Sequence, residues 1–218
     1  MRLLLLEADR VLGESATRHL RGDGHLVDHA ERLRDARLLS WESYDVLIVS
    51  WQLPDGSGLS WVSALRDRGV GTAAVVVAPP HCAVDSLGAA LAAGANDYLV
   101  MPAELDVLAT RIRDARLRVA GLTTARLRCG EVELDLMNRS AFRGGERVAL
   151  TGREWNLVEA LALRFDHIVP KTQLALLVHG LAASPASTVL EVHLSNVRRK
   201  LGRRLIRTVR GAGYRMTT

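Results

Sequence analysis

The chain has 218 residues, 48% of them apolar, with two cysteines and a formal net charge of +5. That length suits two modest domains with separate cores, and Cys82 and Cys129 alone exclude a disulfide-stapled fold and fit a reducing cytosol. Only four apolar residues, Leu3–Leu6, precede Glu7, too few for a signal-peptide core. No later run is long enough for a bilayer, so a cytoplasmic protein with no membrane partner is expected. The charge is uneven. Residues 1–122 carry 13 Arg and 16 acids, net −3, whereas residues 123–218 carry 16 basic and 8 acidic residues, net +8. Only the second half has an electrostatic reason to approach nucleic acid.

In chain order, apolar runs at Leu3–Leu6, Leu26–Val27, Val46–Val49, Ala74–Val77 and Tyr98–Val100 alternate with helical patterns. The helices fall near Val11–Arg21, Glu31–Trp41, Leu59–Arg68, Ala83–Ala93 and Glu104–Ala120. Near-continuous apolar strands alternating with amphipathic helices predict an α/β domain over residues 1–120. It should hold a doubly wound, five-stranded parallel sheet covered on both faces. Ligands in that architecture sit at the carboxyl ends of the strands.

Residues 121–126 read as a linker, and 127–218 as a smaller α+β domain. Leu127–Leu150 alternates short strands around a Gly144-Gly145 hairpin turn. Thr151 to Glu154 is a capping-box signature opening a helix to about Arg164. A second helix spans about Thr172–His179, the loop Gly180–Ala186 follows, then a basic helix (TVLEVHLSNVRRKL) and a hairpin at Gly211 and Gly213. Three helices and a terminal hairpin make a winged helix-turn-helix.

The basic helix sorts its faces. Leu190, Leu194, Val197 and Leu201 recur at helical spacing and should be buried. Thr188, Val192, Ser195, Asn196 and Arg199 fall opposite, flanked by Arg198 and Lys200. No acidic residue follows Val192, while Arg203, Arg204, Arg207, Arg210 and Arg215 do. Such a face is either solvated or laid in a DNA major groove; the hairpin behind it favours double-stranded DNA as the partner.

LTGREWNLVEAL, TVLEVHLSNVRRKLG and IRTVRGAGYR together resemble the OmpR/PhoB-type response regulators. The resemblance implies a helix from Thr188 in the major groove and a wing whose Arg210 reaches the adjacent minor groove. Tyr214 and His193 match phosphate-contacting positions, although each side chain could instead simply pack. Asn196 stands where relatives often carry Arg, which shifts the expected base from guanine to adenine. The family also implies RNA polymerase as a partner, faced by the loop Gly180–Ala186.

The first half resembles the family's receiver domain, but its chemistry looks removed. YDVLIVS places Ser50 at the phosphoacceptor position, ahead of the matching LPDGSGL loop. The acidic pair that holds Mg²⁺ in relatives is matched by Ala8 and Asp9, the strand-four Thr by Ala78, and the Lys before Pro102 by Met101. One carboxylate is too little charge for Mg²⁺, and without metal or Lys nothing steadies a transferring phosphoryl group. Glu7 is expected to point away, by strand alternation. Neither a cofactor, a metal nor an enzymatic activity is expected, only a regulator working without aspartyl phosphorylation.

Family members are expected to dimerise through the fourth helix, fifth strand and fifth helix. Leu91, Ala109, Asp97 and Arg111 match positions used there, the last two as an intermolecular ion pair. Leu87 and Val107 replace a further charged pair, either as interface or as ordinary surface residues. A homodimer is expected. Two alternatives stay open: a receiver that senses a small-molecule ligand or a partner in its emptied pocket, and a conventional phosphorylated regulator using Ser50 or Asp55. Cys82 is either an oxidant sensor or, the favoured reading, a structural thiol.

Overall fold

A computed structural model describes residues 1–36, 44–80, 84–121, 125–179 and 189–217. The chain divides into two compact units, one of Arg2–Gly121 and one holding Leu122–Thr218.

The first unit is built on five parallel strands, β1 (Arg2–Leu6), β2 (Leu26–Ala30), β3 (Val46–Ser50), β6 (Ala73–Ala78) and β7 (Asp97–Val100), in the order β2-β1-β3-β6-β7. Leu4 pairs with Leu47, Ile48 with Val75 and Val76 with Tyr98. Every residue of β1, β3 and β6 is buried, as covering on both faces requires, whereas the edge strands β2 and β7 are only partly covered. Helices α1 (Arg10–Gly22), α2 (Leu33–Ala36), α3 (Gly58–Asp67), α4 (Val84–Ala92) and α5 (Leu105–Val119) connect them. One core runs through Leu4, Leu6, Leu47, Val49, Val62, Leu65 and Val76, each such side chain contributing about 1.5–3 kcal/mol on burial. Of the helix expected over Glu31–Trp41, Leu33–Ala36 is helical and Arg37–Trp41 lie outside the described residues.

Between β3 and α3 the chain makes a small antiparallel pair, β4 (Gln52–Leu53) with β5 (Gly56–Ser57). Gly58 then presses against the end of β3: a Cβ there would lie 2.0 Å from the Ser50 carbonyl oxygen. The glycine lets the α3 N-terminus seat directly on the carboxyl end of the central strand.

The second unit opens with an antiparallel sheet in the order β11-β10-β9-β8: β8 (Arg126–Cys129), β9 (Val132–Asp135), β10 (Ser140–Arg143) and β11 (Glu146–Val148). Gly144 and Gly145 make the β10–β11 turn at φ 58° and 86°, the doubly positive backbone such a turn demands. Helices α6 (Gly152–Ala162), α7 (Lys171–His179) and α8 (Val189–Leu201) follow. Thr151 and Glu154 close a full capping box at the α6 N-terminus. Arg126, expected in the linker, is the first residue of β8.

The terminal hairpin, β13 (Ile206–Val209) and β14 (Gly213–Met216), gains a third strand that sequence patterning did not suggest. It is β12 (Val169–Pro170), giving the order β12-β14-β13. Val169 pairs with Tyr214 and Pro170 with Gly213. Gly213 has φ 149°, and a Cβ on it would fall 2.1 Å from the Val169 carbonyl oxygen. Gly213→Ala should therefore cost about 2–4 kcal/mol, from backbone strain and overpacking together. Urea denaturation checks this, and a loss below about 0.5 kcal/mol would mean the β12 contact is not what holds the hairpin in place.

Candidate DNA-binding face and strand-end cleft

Helix α8 buries Leu190, Leu194, Val197 and Leu201, each at most 1% exposed. Against that anchor the opposite face stays open. Val192 is 54% exposed, Ser195 and Arg199 are exposed, and Asn196 and His193 are half-buried. The Arg199 guanidinium donates to Asn196 Oδ1 at 3.4 Å. An exposed Val beside Ser, Asn and Arg offers a methyl contact together with donors and acceptors suited to base edges. Thr188 lies outside the described residues. At the first turn Glu191 is joined to Lys171 of α7 at 2.5 Å. The Lys171 hydrogen bond holds the Glu191 carboxyl below its ordinary range.

Three residues expected on the DNA face are engaged within the unit instead. Arg198 donates from Nε to the Ile206 carbonyl at 3.0 Å and from Nη2 to Thr208 Oγ1 at 2.8 Å, and stands 5.8 Å from the Tyr214 ring centroid. It ties α8 to the hairpin. Lys200 reaches the Ala149 carbonyl at 3.0 Å and Glu154 Oε2 at 2.7 Å. It thus serves the capping box of α6. Tyr214 is 7% exposed, its ring packed in the hairpin sheet. Beyond α8, Arg203, Arg204, Arg207 and Arg210 are exposed. Arg207 sits directly across from Arg215, which lies 3.7 Å from Asp166. Like charges paired across strands repel, so Arg207 favours an incoming anion. The hairpin register, once drawn, would have flagged it.

In the first unit a cleft of ≈ 640 Å³ opens at the carboxyl ends of the strands, lined by Glu7, Leu12, Ser50, Trp51, Gln52, Val77, Ala78, Pro79, Pro80 and Met101. Glu7, expected to turn away, is part of its lining. The Ser50 hydroxyl donates to Glu7 Oε2, and the Asp9 N–H donates to Glu7 Oε1 at 2.8 Å. Strand β1 ends at Leu6, so its alternation does not govern Glu7. Asp9 instead caps α1, accepting from the Leu12 N–H at 3.0 Å. Ala8 packs partly buried against the core. Asp55 accepts from the Leu33 and Arg34 N–H groups, both at 2.9 Å, which fix the start of α2 and lower its pKa.

A divalent cation finds little here. Glu7 is the sole carboxylate among the described residues lining the cleft, and each of its oxygens already accepts one hydrogen bond. Among the described residues no cluster of three His, Cys, Asp or Glu is placed to hold a metal. The described residues of the lining also include no Lys, Arg or His to balance a phosphoryl group.

Of the expected dimer residues, Leu91 is 51% and Val107 40% exposed, and Leu87 is half-buried. Ala109 is 2% exposed, turned inward with Leu108 and Ile112. Asp97 is also buried, and its carboxylate pairs within the same chain, with Arg111 at 3.4 Å and Arg118 at 3.0 Å. Within a single chain Asp97 thus already has two cationic neighbours, and Arg111 remains 46% exposed. Cys129 is buried and its thiol pushed up by that burial, which makes it unreactive. Cys82 lies outside the described residues.

The response regulator receiver domain matches residues 3–113, and the C-terminal domain of transcriptional regulatory proteins matches residues 145–216. The chain is 34% identical to the response regulator protein PmrA of Pseudomonas aeruginosa, over 98% of this chain and 97% of that protein. It is 31% identical to the transcriptional regulatory protein PmrA of Pectobacterium parmentieri, over 100% and 98%. Among solved structures, the beryllofluoride-activated NtrC4 receiver domain dimer shares the fold at TM-score 0.50 and 23% identity, covering 54% of this chain and 98% of that one.

Two stability effects follow from the internal cations. Arg198→Ala should destabilise the second unit by about 1–3 kcal/mol, while Arg199→Ala should stay within about 0.5 kcal/mol of wild type. Equal effects in denaturant titration would contradict the inward role of Arg198. Burial alone would raise the Glu154 pKa, but hydrogen bonds from Lys200 and the Thr151 N–H outweigh it and hold the carboxyl below its usual 4.5. Because the folded value is depressed, this stabilisation is complete above the ordinary carboxylate range and is lost as pH falls through the folded pKa. Lys200→Met should flatten that part of the acid-denaturation curve; an unchanged slope would show that the pair contributes nothing.

Proposed function

The chain belongs to the OmpR/PhoB-type response regulators, DNA-binding transcriptional regulators that are not enzymes, and we propose that this one acts without aspartyl phosphorylation, in the cytoplasm, as a homodimer on specific duplex sites. Residues 1–120 serve as a degenerate receiver, 121–125 as linker and 126–218, from the first residue of β8, as the winged-helix domain.

The single observation behind the phosphate-independent part is the bond between Ser50 and Glu7. If β3 ends at the phosphoacceptor position, that position carries a hydroxyl whose proton is already given to a buried carboxylate. Glu7 is the one base in reach of it among the described lining residues, but no cation among them balances a transferring phosphoryl group, and the apolar side chains of Ala78 and Met101 line the same cleft. The exposed apolar pair Leu91 and Val107, with half-buried Leu87, supports self-association through the α4 and α5 side of the receiver. Ala109 and Asp97 are buried, so of the remaining expected residues Arg111, 46% exposed, is the one open to a partner. On DNA, Val192, Ser195, Asn196 and Arg199 read the major groove, Arg210 reaches the minor groove, and RNA polymerase is the downstream partner.

Incubation of the full chain with Mg²⁺ and labelled acetyl phosphate should leave it unlabelled, with unchanged DNA affinity; stoichiometric label would overturn the phosphate-independent reading. Arg210→Ala should weaken operator binding by about 1–3 kcal/mol, measured by footprinting titration, and an unchanged isotherm would remove the hairpin from DNA recognition.

A further inference from the structure

We propose that the strand-end cleft of the first unit binds a small organic amine, an ammonium group on an apolar body. This rests on the reading that no phosphoryl group occupies the cleft. The volume, ≈ 640 Å³, lies within the roughly 300–1,000 Å³ of small-molecule sites.

The chemistry of the lining selects the ligand. Glu7 is the only charged one among the described residues in it, and it is 8% exposed. The one hydrogen of the Ser50 hydroxyl is committed to Glu7, so toward the cleft both side chains present lone pairs only. Pro79 and Pro80 carry no N–H. The Gln52 amide donates to the Leu53 carbonyl at 3.5 Å. At Glu7 and Ser50 the cleft therefore accepts hydrogen bonds and carries negative charge, while the Trp51 indole and the second Gln52 amide hydrogen are side-chain donors in the same lining. Leu12, Val77, Ala78 and Met101 are walls for an apolar body, and Trp51 adds an aromatic side chain to the lining. An anion meets a lone carboxylate and no cation, and a purely apolar guest leaves that carboxylate without a new donor. An ammonium with an apolar tail satisfies both surfaces.

The experiment is a thermal-shift and calorimetric titration of the full chain with tryptamine, phenethylamine and hexylamine, against tryptophol and indole-3-acetate. At least one amine should bind saturably and raise the melting temperature, tryptophol should bind at least about tenfold more weakly than tryptamine, and indole-3-acetate should not bind. Glu7→Gln should abolish the preference of amine over alcohol. Because Glu7 also accepts two internal hydrogen bonds, Met101→Lys provides a second test on a half-buried side chain outside that network. It should eliminate amine binding and shift the preference toward indole-3-acetate. Absence of saturable binding by all three amines, equal binding of amine and carboxylate, or an amine preference that survives Met101→Lys would each overturn the proposal. Failure of amine binding in a chain that acetyl phosphate still leaves unlabelled sinks this inference alone, whereas labelling with Mg²⁺ sinks the reading beneath it.

Discussion

Burying a carboxylate at the end of a parallel sheet, with no cation beside it, requires hydrogen-bond donors. Glu7 has two, the Ser50 hydroxyl and the Asp9 N–H, and the rest of the first unit's functional end is arranged around that requirement. Without those donors the charged form would lose its hydration uncompensated, at a cost of several kcal/mol. Residue 50 is held where it can donate because β3 is buried along its whole length and Gly58 lets α3 close on its last carbonyl. A second carboxylate in place of Ser50 would set like charges side by side, which a site without metal or lysine has no means to offset. The hydroxyl and the apolar cleft walls are thus mutually consistent, and together they support the proposed phosphate-independent reading.

The second unit divides its cations into two sets. Arg198 and Lys200 are spent inside the fold, one joining the helix to the hairpin and the other joining it to the capping box of α6. Arg199, Arg203, Arg204, Arg207 and Arg210 remain exposed. Arg198 fixes the helix against the hairpin and Lys200 fixes it against α6; the outward set is the one the proposed DNA contact would draw on. Neighbours in sequence, Arg198 and Arg199, therefore have opposite tasks, decided by which side of the helix faces the Ile206 carbonyl.

Much of this was legible in the residues alone. Apolar runs placed all five parallel strands, and Leu190, Leu194, Val197 and Leu201 named the buried stripe of α8 correctly. Thr151 with Glu154, and Gly144-Gly145, declared their cap and turn because those motifs are local. What escaped depended on distant partners. Val169–Pro170 is too short to show a strand period and becomes β12 only by meeting β14. Lys200 and Arg198 look like surface charges until Glu154 and Ile206 are brought to them across 46 and 8 positions of chain. Asp97 finds Arg111 and Arg118 within its own chain because α5 packs on β7, a tertiary fact. Glu7 was misplaced for a local reason: strand alternation was carried one residue beyond the end of β1.

The account turns on whether the cleft beside Ser50 holds a phosphoryl-like anion with magnesium. Amide chemical-shift mapping of the full chain on addition of Mg²⁺ and beryllofluoride tests this directly. Unmoved resonances for Glu7, Ser50, Trp51 and Met101 are predicted. Saturable, coherent shifts at those amides would contradict it.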